Sequence, residues 1–219
     1  MRVLLYLFGV SAGVIAGASA VHAQAGDNAP FQAFTSSSFY SSLIDHALAG
    51  MPPDVFQKCP ALVSAGSRVT VVRPVTFASD GFPNGGIWKQ QFPVSGCGND
   101  TTLNFYFQAT LDEKINTLVA APGSIHANIV LQGDARKYAT VAVVAREKDC
   151  KALNIKTTKF EAYGLVNPPS QDPGPGSQPR PWWETWIMVG CGHTYEVPLD
   201  FVPVAGGVQV IQPGGVSER

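Results

Sequence analysis

The sequence predicts an α+β fold made by internal duplication. A helix followed by a four-stranded antiparallel meander is written twice (αββββ ×2), with one disulfide in each copy. Two segments carry the prediction. Trp88-Lys89-Gln90-Gln91-Phe92-Pro93-Val94-Ser95-Gly96-Cys97-Gly98 returns as Trp182-Trp183-Glu184-Thr185-Trp186-Ile187-Met188-Val189-Gly190-Cys191-Gly192, with the tryptophan nine residues before the cysteine both times. Each of these cysteines lies between two glycines, and each is preceded by an earlier one, Cys59 and Cys150. The third observation is the period of the flanking chain, which runs from helical spacing to strand alternation in both halves.

Residues 1–23 lie ahead of the fold. Arg2 is the whole charged n-region, an apolar small-residue run follows, and Val21-His22-Ala23 offers a cleavage site, so the segment reads as a signal peptide. An oxidising destination, periplasmic or secreted, is therefore expected. Without Arg2, 14 basic and 16 acidic residues remain, a net charge of −2. A near-neutral chain has no electrostatic reason to hold nucleic acid or an anionic membrane. Charged residues make up 14% of the chain, well under the usual quarter or so.

The even cysteine count of an exported chain reads as disulfides. Because a duplicated unit carries its own staple, the expected pairs are Cys59 with Cys97 and Cys150 with Cys191. In each unit one cysteine precedes the first strand and the other follows the second, and a hairpin brings those points to one end of the sheet. Each bridge closes a loop of about 40 residues, worth on the order of 4 kcal/mol in the chain-entropy picture. No Cys-x-x-Cys is present, so no metal site and no cofactor is expected.

The elements follow in order. Residues 24–35 read as a flexible mature N-terminus. Repeat unit 1 spans 36–123. Its helix, 36–49, has Phe39, Tyr40, Leu43, Ile44, Ala47 and Leu48 at helical spacing, serines to cap it and Gly50 to end it. Strands are predicted over 68–77, rich in Val and Thr; over 86–95, with Trp88, Gln90, Phe92 and Val94 on one face; over 102–111, with Leu103, Phe105 and Phe107 inward; and over 115–121. A linker at 124–133 leads to repeat unit 2, 134–214. Asp134 is the expected cap of a helix reaching about residue 148. Strands follow at 153–163, at 182–189, at 195–201 and at 208–211, and 215–219 are left as a tail. The second hairpin differs from the first in a loop, 167–181, with six prolines and two glycines. Such a stretch forms no ladder and is expected at the surface.

Catalytic signatures are absent: there is no Gly-x-Ser-x-Gly, no His-Glu-x-x-His, no phosphate loop and no dinucleotide fingerprint. The expected function is an exported, non-catalytic binding or structural module, with a protein partner reached through the 167–181 loop. Its candidate binding residues are Arg180, Trp183, Glu184 and His193. Arg180 and Trp183 adjoin the loop and are of the types that partner surfaces use. Glu184 alternates in phase with Trp182 and Trp186, which places a carboxylate on the apolar face, where Arg180 or Lys159 would be its natural partner. His193 follows Gly192 and reads as a turn residue. Two alternatives are carried. One is a small hydrolase or isomerase using Glu184, His193 and Tyr195. The other is an apolar-ligand carrier lined by Trp88, Phe105, Trp182 and Trp186.

Overall fold

The computed structural model describes residues 28–51, 63–64, 66–96, 100–150, 152–164, 180–212 and 214–218. The leader, Cys59, Cys97 and all of the 167–181 loop except Arg180 and Pro181 lie outside them. The described residues form three helices and two sheets.

Helices α1 (Ala29–Thr35) and α2 (Ser38–Ala49) open the chain. Residues 29–35 were expected to be flexible, and α1 corrects this. Asn28 caps it through a bond from the Phe31 N–H, and Pro30 in the first turn pre-sets the backbone. A seven-residue helix has little stability of its own. Tertiary packing holds it: Phe31 and Phe34 meet the Trp88 ring edge-on, at 5.5 and 5.8 Å between centroids. Ser37 caps α2 as the run of serines predicts, by accepting from the Tyr40 N–H.

The first sheet contains β1 (Val63–Ser64), β2 (Arg68–Phe77), β3 (Pro83–Ser95), β4 (Thr101–Ala109) and β5 (Ile115–Val119). β2 to β5 form an antiparallel meander, and β1 pairs the far end of β3. The predicted inner face is the observed one. Trp88, Gln90, Val94, Leu103, Phe105 and Phe107 are buried against α1 and α2. Trp88 stands directly across from Phe107 and stacks on it at 5.7 Å.

One polar chain crosses this core. The Trp88 indole N–H donates to the Tyr40 hydroxyl (3.0 Å), which donates to Gln90 Oε1 (2.9 Å). Burial pushes the Tyr40 phenol up to about 12, against a smaller opposing effect of the Trp88 bond. A raised phenol pKa means the folded chain keeps its proton after the unfolded chain has lost it. The stabilisation is complete below pH 10 and is lost as pH rises from about 10 to about 12. An alkaline series of urea melts is expected to show a loss on the order of 2–3 kcal/mol across that window. Tyr40→Phe should remove this contribution; a loss unchanged by the substitution would assign it to another group, such as the Tyr106 or Tyr195 phenol, which burial also raises.

The chain then crosses to the second sheet through β6 (Gly123–Ser124), which pairs parallel with β7. The second sheet is β6, β7 (Asn154–Tyr163), β8 (Trp182–Gly190), β9 (His193–Val204) and β10 (Gly207–Ile211), with β11 (Ser217–Glu218) beside the first half of β9. β7 to β10 are antiparallel. Helix α3 (Ile129–Arg146) covers the inner face with Leu131, Ala135, Ala139 and Val143, spaced by four.

Two further boundaries depart from expectation. α3 starts at Ile129, not at Asp134, so the second half of the expected 124–133 linker is helix. Asn128 is the stronger cap, accepting from the N–H groups of Val130 and Leu131. Gly133, which suggests a break, sits within the second turn with nothing near the position a Cβ would take. The expected 215–219 tail also carries structure. Val216 is buried in the core, and the Arg146 guanidinium donates to its carbonyl. Glu218 pairs with His193 at 2.6 Å.

A small set of buried polar groups fixes the crossover. Asn104 Nδ2 donates to the carbonyls of Ala121 and Gly123, and its Oδ1 accepts from Gln91. Gln132 accepts from the Ala121 N–H and donates to the Ala127 carbonyl. Both the N–H and the hydroxyl of Thr158 donate to the Pro122 carbonyl. Gly123 passes so close to Thr158 that a Cβ would lie 2.0 Å from its carbonyl oxygen, and its φ of +107° is open to glycine.

Candidate functional site

The candidate site lies where β7 ends and β8 begins, at the two roots of the 167–181 loop. The Gly164 N–H donates to the Pro181 carbonyl, which pinches the roots together. A Cβ on Gly164 would meet the Pro181 ring at 2.6 Å, so glycine permits this closure. Trp183 follows on the outer face of β8, 38% exposed, with its ring edge beside Gly164. Across the ladder from it stands Asp200. Desolvation raises the Asp200 carboxyl, and a hydrogen bond from Trp183 partly offsets this.

On the inner face at the same end, aromatic rings gather. Trp182 stacks on Phe201 at 4.8 Å with planes 2° apart. His126, just ahead of α3, packs edge-on against Trp182 at 4.9 Å and against Tyr163 at 5.1 Å. Phe160 joins Tyr163 at 4.9 Å. The Tyr163 hydroxyl lies 3.2 Å from His126 Nδ1. His126 is exposed, and Phe160 and Tyr163 are half-buried, so the cluster grades from core to surface.

Glu184 sits beneath these rings, 1% exposed. Its Oε1 accepts from the backbone N–H groups of His126 and Ala127 and from the Trp182 indole, each at 3.0 Å. Its Oε2 accepts from the Trp186 indole at 3.0 Å. The partners are neutral N–H donors, not Arg180 or Lys159. The carboxylate also lies at the start of α3, where the helix dipole favours negative charge. A carboxylate enclosed this way orients the segment before α3 and has no free edge for a substrate.

The four sequence candidates are thus placed apart. Arg180 and Trp183 share the loop roots. Glu184 faces the opposite side of β8 from Trp183. His193 is opposite Gly190, seven residues farther along β8 than Trp183 and therefore roughly 20 Å away. It is the first residue of β9 and not a turn residue. The turn is Cys191-Gly192, with φ of 55° and 84°, the two positive values of a type I′ hairpin. The Cys150–Cys191 disulfide ties this turn to the chain just past α3.

The sets named by the alternatives are not assembled either. Tyr195 lies across from Met188, four residues along β8 from Glu184, on the order of 13 Å away. Trp88 and Phe105 belong to the core of the first sheet, and Trp182 and Trp186 to that of the second. Sequence reasoning passed over His126, Phe160 and Tyr163. Phe160 and Tyr163 were visible only as strand aromatics, and His126 only as a linker residue. Among the described residues no group of three or more His, Cys, Asp or Glu side chains is placed to hold a metal ion, and no helix is long and apolar enough to cross a membrane.

Comparison with known protein families, with curated proteins and with solved structures finds no match to this chain.

Proposed function

We propose that this chain is an exported, non-catalytic binding protein that engages a protein partner at the roots of its 167–181 loop. The observation that carries the reading is the aromatic corner itself. Trp183 is exposed beside the pinched roots, and His126, Phe160 and Tyr163 come to the surface at the same end of the sheet. Partly exposed Trp and Tyr on a rigid strand supply contact area at small entropic cost. The acid with the deepest burial, Glu184, is spent on N–H bonds, which favours binding over turnover. Export is supported by the apolar leader and by the Cys150–Cys191 bridge, which belongs to an oxidising compartment.

The same reading includes the duplication. Each sheet repeats a four-strand meander beneath helix cover. Trp88 on Phe107 matches Trp182 on Phe201 in register, and Gln90 matches Glu184 as the buried polar acceptor two residues on. A bridge between Cys59 and Cys97 belongs to this proposal, and both residues lie outside the described ones.

Trp183→Ala tests the binding surface. The immobilised mature chain is expected to retain a discrete envelope partner, and Trp183→Ala to lose at least tenfold in affinity, about 1.4 kcal/mol. The melting midpoint should move little, because the ring is on the outer face. Equal retention by both proteins, or catalytic turnover by the wild type, would refute the proposal.

A further inference from the structure

Strand β10 ends the second sheet, and among the described residues its outer edge pairs with no strand. Its sequence, Gly207-Val208-Gln209-Val210-Ile211, contains no charge and no proline. Sheet edges of this kind invite pairing, and monomeric proteins ordinarily blunt them with charges, proline or bulges. The edge of the first sheet shows such blunting. β2 carries Arg73 and Pro74 and has register shifts on both sides of Arg73. The opposite edge strand of that sheet, β5, has α2 lying against it.

The pairing of β10 with β9 reveals which of its groups point away from β9. Val208 stands across from Pro203, which has no N–H, so that pair is of the non-hydrogen-bonded kind. The alternation makes Val210 and Phe201 another such pair. The N–H and C=O groups of Val208 and Val210 therefore point outward. Beside them runs a groove of about 530 Å³ between β10 and α3, lined by Asp134, Lys137, Tyr138, Val141, Val208 and Val210. Tyr138 and Val141 are 47% and 66% exposed, an apolar stripe on the solvent side of α3.

We propose that β10 pairs with β10 of a second copy of this chain, antiparallel about a two-fold axis at Gln209. The register is self-complementary. Val208 of one copy then faces Val210 of the other, and both residues have outward N–H and C=O groups to exchange. Gln209 faces its own mate at the axis. An axis perpendicular to the sheet puts both α3 helices on one face, where each Tyr138 and Val141 stripe closes the other copy's groove. Charge does not oppose the union. The groove rim holds one acid and one base, Asp134 and Lys137, paired at 2.9 Å, and the whole chain carries only −1. This surface is separate from the aromatic corner, and the inference stands without the partner proposed there.

Sedimentation equilibrium of the oxidised protein is expected to give twice the chain mass. Hydrogen exchange should show the Val208 and Val210 amides becoming protected as concentration rises. Val208→Pro removes an outward donor without touching the ladder to β9, and Val141→Lys charges the stripe on α3. Each is expected to return the protein to the chain mass with unchanged far-UV circular dichroism. If Val208→Pro fails to fold, Val141→Lys and the exchange data decide. A wild type that stays at the chain mass, whether or not it binds another protein at this edge, overturns the proposal. So does a dimer in which both amides exchange freely.

Discussion

Glu184→Ala is expected to lower the stability of the protein by about 3–5 kcal/mol, because it strands four N–H donors at once, three of them fully buried. The backbone groups of His126 and Ala127 and the indoles of Trp182 and Trp186 all end on this carboxylate. Each buried donor left without an acceptor costs roughly 1–3 kcal/mol, and partial entry of water reduces the sum. Glu184→Gln is the sharper probe. An amide has one acceptor oxygen, so the three donors on Oε1 can be kept while the Trp186 indole meets an NH₂ group. A loss of roughly 1–3 kcal/mol is expected. Urea melts with an unchanged m-value would measure both. If Glu184→Ala moved stability by less than about 1 kcal/mol, Glu184 would not be the post that fixes the start of α3.

Removing the Cys150–Cys191 bridge ranks beside it. The cysteines are 41 residues apart in sequence, and the chain-entropy picture assigns such a loop about 4 kcal/mol. Cys150→Ala with Cys191→Gly is the suitable pair. Cys191 has a φ of 55°, which glycine adopts without cost, so the double variant isolates the staple from the turn. The expected result is a fall of that size in urea melts. The loss should exceed that of Cys150→Ala with Cys191→Ala only if the positive φ were unimportant; the reverse order is expected. A double variant as stable as the oxidised wild type would show that the fold does not depend on this covalent tie.

Much of the framework was legible because strand alternation is a local signal. β2 was predicted at 68–77 and is found there, and the inner faces of β3, β4 and β8 consist of the residues whose phase selected them. The phase of Glu184 was legible for the same reason. Its partners were not. A cation is the partner that phase alone suggests, whereas the structure supplies the neighbouring Trp182 and Trp186 indoles and two backbone N–H groups from a segment nearly 60 residues earlier. Helix starts were misread where two caps compete. Asp134 and Asn128 are both of the capping type, and the earlier one prevails because Asn128 accepts from the Val130 and Leu131 N–H groups while Leu131 and Gln132 are buried. α1 escaped because seven residues carry too short a period to register, and its stability comes from Trp88 and not from itself.

The candidate site divides along the same line. Local chemistry marked the 167–181 loop roots, Arg180 and Trp183. It also named Glu184, for its phase with Trp182 and Trp186, and His193, read as a turn residue after Gly192. Strand geometry separates these residues, since alternate positions face opposite ways and seven positions span most of a strand. The recruits that replace them, His126, Phe160 and Tyr163, come from the crossover and the neighbouring strand.

Periodicity and the twice-written tryptophan–cysteine segment determined the types of α2, α3 and the strands β2–β5 and β7–β10, their inward faces and the pairing expected of the cysteines, since each is set by spacing along one stretch of chain. Tertiary structure alone decided that Asn104, Gln132 and Thr158 bind the crossover, that Val216 to Glu218 docks on β9, and that β10 ends its sheet with no further strand among the described residues. Those outcomes depend on which polar group finds a partner across the fold. No residue's own neighbourhood in sequence encodes that choice.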